Sequence, residues 1–546
     1  MTGFSLGAVM ADLSVLAGEV LVPALGLFLL LRRRDWVASD RAAALALAAS
    51  SIVVCVAVIF ASRIGWAKGP YVAAAAVAVA LAGAVRRAGL AREFLCQPVV
   101  RLWGLTAGFW IAQEALIFCH GPFWVFDWEM HWHLSSVAYG YLARGRWPVN
   151  PLRTVLLGVW SAPVLAATNV GDIEQHAYWV FQLAVPVAGS LALPAVYLWG
   201  ERFGGPRCGR IAWFLALLCP GLVFWSLYTW PLTLAAMFVM LGTYLYACGT
   251  EAASRRSRIG CHVAAGVSLA AAFQAHPTAA TCAVVLPAVA CIAFPQRWPW
   301  ATVTACGVLS TLWVYAVVVG FPAESTSMFR DFFSATPMGQ KRDLWSVFGQ
   351  NLRASIFPLD WSVFDWGAFR RDPARLLDAT VNVLFVTFPV IGSVGLARTR
   401  PTWRRADTVV GLSLAGTALV PLSLFLNRQP ITHAFVPTVL FLLAVAASGV
   451  QRLPRPLSII LWLSTLVQYV AFRGAVLFFN AWPGGADAGN LAIKNAQSIR
   501  YLVDQSWWVR PAALVALIAC AAGLAHQWYT PGTIRTPGLR GSERVV

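Results

Sequence analysis

Runs of about 20 apolar residues recur along most of this chain, and that feature limits its fold more than any other. Each run is long enough to cross the roughly 30 Å hydrocarbon layer of a bilayer as a helix. They cover 13–31, 43–62, 69–86, 102–119, 176–199, 210–227, 230–249, 261–275, 277–294, 301–320, 379–397, 408–426, 433–450, 456–473 and 511–527. Only 12% of residues are charged, about half the usual share in soluble domains, so a water-soluble globular fold is excluded. In lipid the backbone must satisfy its own hydrogen bonds, and uninterrupted runs of this length do so as helices. The expected fold is therefore an all-α polytopic bundle of about 13–15 transmembrane helices. The apolar stretch 261–294 is broken by Gln274, His276 and Pro277, and reads as two short helices meeting at a loop.

The formal charge is +18, and its distribution matters more than its size. Loops 32–42, 87–101, 200–209, 250–260, 295–300, 398–407, 451–455 and the tail after 527, with Arg86 and Arg210 at their edges, hold 24 basic and 7 acidic residues. The rest of the chain is almost balanced. Lys and Arg gather in cytoplasmic loops beside spans, so this alternation puts the N-terminus outside and the C-terminus in the cytoplasm of a plasma or inner membrane. A nucleic-acid partner is excluded, because it requires a basic face on a folded module and the excess is spread over short loops. The first apolar run lacks a basic leader and reads as a span, with no cleaved signal expected. The 11 cysteines lie mostly in or beside spans without paired spacing, so neither a disulfide framework nor a cysteine metal site is expected.

Three long stretches fall on the outer side: 120–175, 321–378 and 474–510. Together they hold 13 acidic residues, so chemistry is expected on that face. The first opens Phe126-Asp127-Trp128-Glu129-Met130-His131-Trp132-His133. On a helix, Asp127 and His131 pair at i,i+4, as do Glu129 and His133; on a strand all four share a face. The competing reading is a tryptophan belt at the interface with solvated ions beside it. Farther on, 152–167 reads as an amphipathic helix lying on the bilayer surface. It is followed by Asp172 and His176, again at i,i+4, where capping of the next helix is the simpler role for the acid. The third stretch reads as a loop around Pro483-Gly484-Gly485, then a short helix ending at Trp507-Trp508. Within the spans, His276 beside Pro277 and Glu114 beside Gln113 are polar groups at membrane depth, where a functional role and a purely structural one compete.

These residues resemble the GT-C superfamily of membrane glycosyltransferases, of the protein-mannosyltransferase and aminoarabinose-transferase type (glycosyltransferase family 39-like). The resemblance rests on Phe126-Asp127-Trp128-Glu129 followed by Tyr141-Leu142-Ala143-Arg144-Gly145. It continues through the short inner loop Tyr197-Leu198-Trp199-Gly200-Glu201-Arg202-Phe203-Gly204-Gly205, then Leu218-Cys219-Pro220, the His276-Pro277-Thr278 junction, and Asn427-Arg428 ahead of His433 to Pro437. It covers about residues 100–450. The family's adjacent Asp-Glu pair is here split by Trp128. The resemblance implies a core at 101–450 flanked by N-terminal helices in 1–100 and C-terminal helices in 451–546. It also implies inverting transfer of a sugar from a polyprenyl-phosphate carrier to a glycan, lipid or protein acceptor at the outer face, with Asp127 as general base.

The chemistry is consistent with that implication. A carboxylate desolvated among aromatics is a suitable base for a hydroxyl acceptor, which makes Asp127 and Glu129 the catalytic candidates. His131, His133, Asp172, His276, Arg428 and His433 are the substrate-binding candidates. The leaving lipid phosphate needs a cation; Arg428 is the first choice, with Arg473, Arg330 and the Arg370-Arg371 pair behind it. Asp127, Glu129, His131 and His133 also form a donor set suited to a divalent metal such as Zn or Mn; no other cofactor is indicated. The alternatives are a secondary transporter or lipid flippase, for which no matched half-to-half repeat is visible, and a lipid-linked glycan polymerase or ligase.

Overall fold

The structure is a computed structural model that describes residues 6–32, 39–63, 88–119, 140, 142, 156–167, 178–220, 222–223, 232–276, 279–293, 300–320, 343, 345–349, 394–397, 403–424, 436–481 and 506–529. Its principal helices are α1 (Leu6–Arg32), α2 (Ser39–Arg63), α3 (Ala88–Cys96), α4 (Pro98–Phe118), α5 (Leu156–Ala167), α6 (Tyr178–Ser190), α7 (Ala192–Leu217) and α8 (Leu232–Glu251). They continue with α9 (Arg255–Ala275), α10 (Ala280–Ala293), α11 (Trp300–Gly320), α12 (Arg405–Leu424), α13 (Val436–Val450), α14 (Arg455–Ala481) and α15 (Ser506–Tyr529). The protein is an all-helical, multi-pass membrane protein, and the described helices follow the apolar runs closely.

The centre is the pair α7 and α8, with α2, α6, α9, α12 and α13 packed around it. By length alone, Leu183–Leu217 is one apolar stretch of 35 residues, but the chain turns back within it. Gly204 and Gly205 leave the helix, Gly205 at a φ of 80°, and Pro206 restarts it. A left-handed residue is costly for anything but glycine, and proline is tolerated at a first helical position because it has no amide hydrogen to lose. The two limbs then touch. A Cβ on Gly200 would lie 2.8 Å from that of Ala212, and one on Gly209 would lie 2.9 Å from the Tyr197 carbonyl oxygen. The hairpin therefore has two limbs, in agreement with the separate runs 176–199 and 210–227 and the short loop between them.

Five consecutive residues at the end of the first limb organise one end of the bundle. Trp199 donates from Nε1 to the Met240 carbonyl at 3.2 Å and packs edge-on against Phe441 and Tyr244. Gly200 permits the close approach just described. Glu201 accepts from the Arg41 guanidinium at 3.2 and 3.3 Å. Arg202 donates to Asp407 at 2.5 Å and to Glu251, and Phe203 stacks on Trp403 at 5.5 Å. Arg404 joins Glu251, and Arg405 bonds the last carbonyl of α10, Ala293. Nearby, Glu93 of α3 accepts from Ser39 and pairs with Arg32. Loops 32–42, 87–101, 200–209, 250–260 and 398–407 thus meet at one end of the bundle, as the charge alternation requires.

Several expectations need correction. Segment 152–167 does not form a surface helix over its described part: α5 is buried on nearly every side, with Trp160, Ala162 and Val164 at 0% exposure, and it packs against α1, α2, α6 and α9. Its apolar residues go all the way round, which is the mark of a core helix. Loop 87–101 contains α3, whose Phe94 is buried against Phe28 at 5.2 Å between ring centroids. Loop 250–260 shrinks to a tight turn, where the Ser254 side chain accepts from the Ser257 amide and caps α9. Trp507 and Trp508 begin α15 instead of ending a helix, and α14 runs on to Ala481. The two-helix reading of 261–294 holds, as α9 and α10. Run 69–86 and most of run 379–397 lie outside the described residues.

The Arg202 network predicts unequal costs for its members. Asp407 is 3% exposed, and removing one partner of a buried ion pair costs about 3–5 kcal/mol. Arg404 is 66% exposed at its side chain, where an ion pair contributes about 0–1 kcal/mol. Thermal unfolding of the purified protein in detergent is expected to register a large loss for Asp407→Asn and little change for Arg404→Gln.

Candidate functional site

Helices α4 and α14 both start at the basic-loop end, and Gln113, Glu114, Tyr469 and Arg473 lie 14–18 residues farther along them. At 1.5 Å per residue that is roughly 21–27 Å, which sets all four toward the opposite end of the bundle. The Tyr469 hydroxyl donates to Gln113 Oε1 at 2.6 Å and accepts from Arg473 Nε at 3.3 Å. Its ring stacks against Phe109 with centroids 6.3 Å apart, and the guanidinium sits 5.7 Å above the same ring. One tyrosine therefore fixes both ends of a polar chain between the two helices. The spacing makes this possible, because Phe109 and Gln113 of α4, and Tyr469 and Arg473 of α14, are each four residues apart on one helix face.

The groups left over are what make the cluster a candidate site. Glu114 is 1% exposed, and its Oε2 has no hydrogen-bond partner among the described residues. The same holds for Arg473 Nη1 and Nη2 and for Gln468 Oε1. Glu114 lies within electrostatic reach of Arg473, yet no ion pair joins them. Burying polar groups without a partner is costly, so these groups mark a candidate site, in which Tyr469 holds the Arg473 Nε. Arg510, near the start of α15, donates to the Cys119 carbonyl at 3.1 Å, pinning α15 to the end of α4 at the residue where the Asp127-bearing stretch begins.

Of the residues expected from sequence, His276 is described. It caps α9 in an extended conformation, its amide bonded to the Ala272 carbonyl and its own carbonyl accepting from the Ala279 amide, and it is 7% exposed. The ends of the two helices are thus joined through its backbone, and the buried imidazole is not needed for that. Asp127, Glu129, His131, His133, Asp172, Arg428 and His433 lie outside the described residues. Sequence reasoning undervalued Arg473 and did not single out Tyr469 or Gln468. It also passed over Glu19 in the middle of α1, whose two carboxylate oxygens are buried without a partner among the described residues. Ionisable residues within spans are functional candidates by default, and applying that rule to every span would have raised both Glu19 and Arg473.

No protein-family model matches the chain, and no curated protein sequence matches it. Among solved structures, it is similar to the crystal structure of ArnT from Cupriavidus metallidurans bound to undecaprenyl phosphate, with 15% identity and a TM-score of 0.47, over 79% of this chain and 75% of that one. The crystal structure of the same ArnT in the apo state has 15% identity and a TM-score of 0.44 over the same shares.

Tyr469→Phe is expected to leave Gln113 Oε1 and Arg473 Nε each short of a partner, at a cost of about 1–3 kcal/mol in thermal unfolding. Glu114→Gln is expected to cost less, since Oε2 has no bond to lose.

Proposed function

We propose that this protein is a membrane glycosyltransferase that moves a sugar from a polyprenyl-phosphate carrier to an acceptor hydroxyl at the outer face, with inversion. The observation that carries this reading is the buried cluster in which Glu114 Oε2 and the two Nη groups of Arg473 have no hydrogen-bond partner among the described residues, close to where the Asp127 stretch leaves α4. A pre-placed cation in a low-dielectric site is what a departing phosphate needs. The resemblance of residues 100–450 supplies the reaction class, and the count of basic loops supports a cytoplasmic C-terminus.

In this mechanism the carboxylate of Asp127 takes the proton of the acceptor hydroxyl. The acceptor oxygen bonds to the anomeric carbon as the bond from that carbon to the phosphate oxygen breaks, and the polyprenyl phosphate leaves as the anion. Arg473 turns its two Nη groups to that phosphate while Tyr469 holds its Nε, with Arg428 as a second cation. Glu129, His131, His133, Asp172, His276 and His433 contact the sugar and the acceptor. Asp127, Glu129, His131 and His133 retain a donor set suited to a divalent metal.

The test is turnover of a radiolabelled polyprenyl-phosphate sugar by the full-length protein in proteoliposomes. Wild type is expected to release polyprenyl phosphate. Asp127→Asn is expected to lose about 10²–10⁴-fold, the usual contribution of a general base. Normal turnover by the Asp127 variant would overturn the mechanism. Movement of the intact carrier across the bilayer without bond cleavage would favour a flippase.

A further inference from the structure

At the basic-loop end, away from the outer cluster, a cavity of about 980 Å³ opens between the second limb of α7, the start of α14 and the end of α15. This is at the upper limit of the roughly 300–1,000 Å³ typical of small-molecule sites, far more than an inorganic anion fills. Its polar rim carries Arg207, Arg210 and Arg455, and among the described residues no acidic side chain lines it. Arg210 is also within reach of the Asp40 carboxylate, so Arg207 and Arg455, both exposed, supply most of the field.

The remainder of the cavity is apolar and aromatic. Trp462 and Trp528 meet edge-to-face at 4.8 Å, and Trp528 is braced in turn by Phe214 at 5.0 Å. Tyr529 stands at the mouth, 81% exposed. Tryptophan and tyrosine beside arginine are the side chains that settle at the headgroup level of a bilayer. Two of the lining residues, Ile459 and Leu463, also begin an exposed stripe on α14 that continues through Leu466, Val467 and Val470. That stripe lies at helical spacing and runs from the cavity toward the bilayer centre, so it offers an acyl chain a continuous apolar lane.

We infer that this cavity is a binding site for an anionic phospholipid, its phosphate held by Arg207 and Arg455 and its acyl chain laid along the exposed face of α14. Basic pockets between membrane helices are suited to such headgroups. The combination of cation rim, aromatic collar and apolar lane selects a lipid over a free anion. The site is separate from the proposed sugar-transfer chemistry and stands whether or not that reading holds.

The experiment uses the full-length protein, delipidated in detergent and titrated with phosphatidylglycerol, phosphatidylcholine or inorganic phosphate, with bound adducts counted by native mass spectrometry. Wild type is expected to keep one phosphatidylglycerol more firmly than phosphatidylcholine. Arg207→Gln combined with Arg455→Gln is expected to weaken that adduct by roughly 10- to 30-fold, the effect of two arginines at an anionic surface. Arg455→Gln alone, an exposed change at the first residue of α14, gives a smaller loss in the same direction and serves if the double variant does not fold. Equal retention of the two lipids, displacement of phosphatidylglycerol by millimolar phosphate, or unchanged binding in the variants would overturn the inference.

Discussion

Arg202 is the charge around which the rest of the described bundle is arranged. It joins the α7 hairpin to α8 through Glu251 and to α12 through Asp407, and its guanidinium sits 5.9 Å from the Trp199 ring. A guanidinium that is 11% exposed needs both carboxylates, since a buried charge with a missing partner destabilises more than the pair stabilises. The neighbours of Arg202 in sequence extend the same connection: Glu201 to α2, Phe203 to Trp403, and Trp199 to α13 through Phe441. The position of the central helices therefore depends on one short turn, and the glycines beside it let the two limbs lie close enough for its side chains to point outward.

Among the described residues, the ion pairs gather at the basic-loop end. At the basic-loop end, the carboxylates Glu93, Glu201, Glu251 and Asp407 each have an arginine or a hydroxyl partner. Toward the opposite end, Glu114, Arg473 and Gln468 keep polar atoms without partners among the described residues, as Arg258 Nε does at the basic-loop end. Satisfied networks give rigidity, whereas unsatisfied buried groups cost stability. Tyr469 fixes the Arg473 guanidinium at Nε and leaves its other nitrogens open, so under the proposed function less freedom is lost when a phosphate arrives.

Sequence reading located the spans, the basic side and the Trp199 to Gly205 turn because each is a local signal. Length and apolar content locate a span, Arg enrichment marks a side, and a Gly-Gly-Pro run breaks a helix where it stands. The single acid in each of several basic loops was a readable hint of the ion pairs, since an isolated Glu or Asp among arginines has an obvious partner type. It could not say which arginine: Arg202 and Asp407 are 205 residues apart, and Tyr469 and Gln113 are 356 apart. The error over α5 has the same origin. A short run containing Pro163 resembles an interfacial helix until its neighbours are known, and only packing against four other helices makes it core.

The sequence by itself determined that this chain lives in a membrane as helices, which side its arginines favour, and where its central turn falls. Those properties follow from transfer free energy and backbone geometry, which act residue by residue. Tertiary structure alone decided which carboxylate each arginine meets, that Tyr469 orients Arg473 beside Glu114, and that Arg207 and Arg455 share a cavity with Trp462 and Trp528. Such pairings depend on how helices far apart in the chain cross one another, and side-chain packing between helices, not the order of residues along any one of them, fixes those crossings.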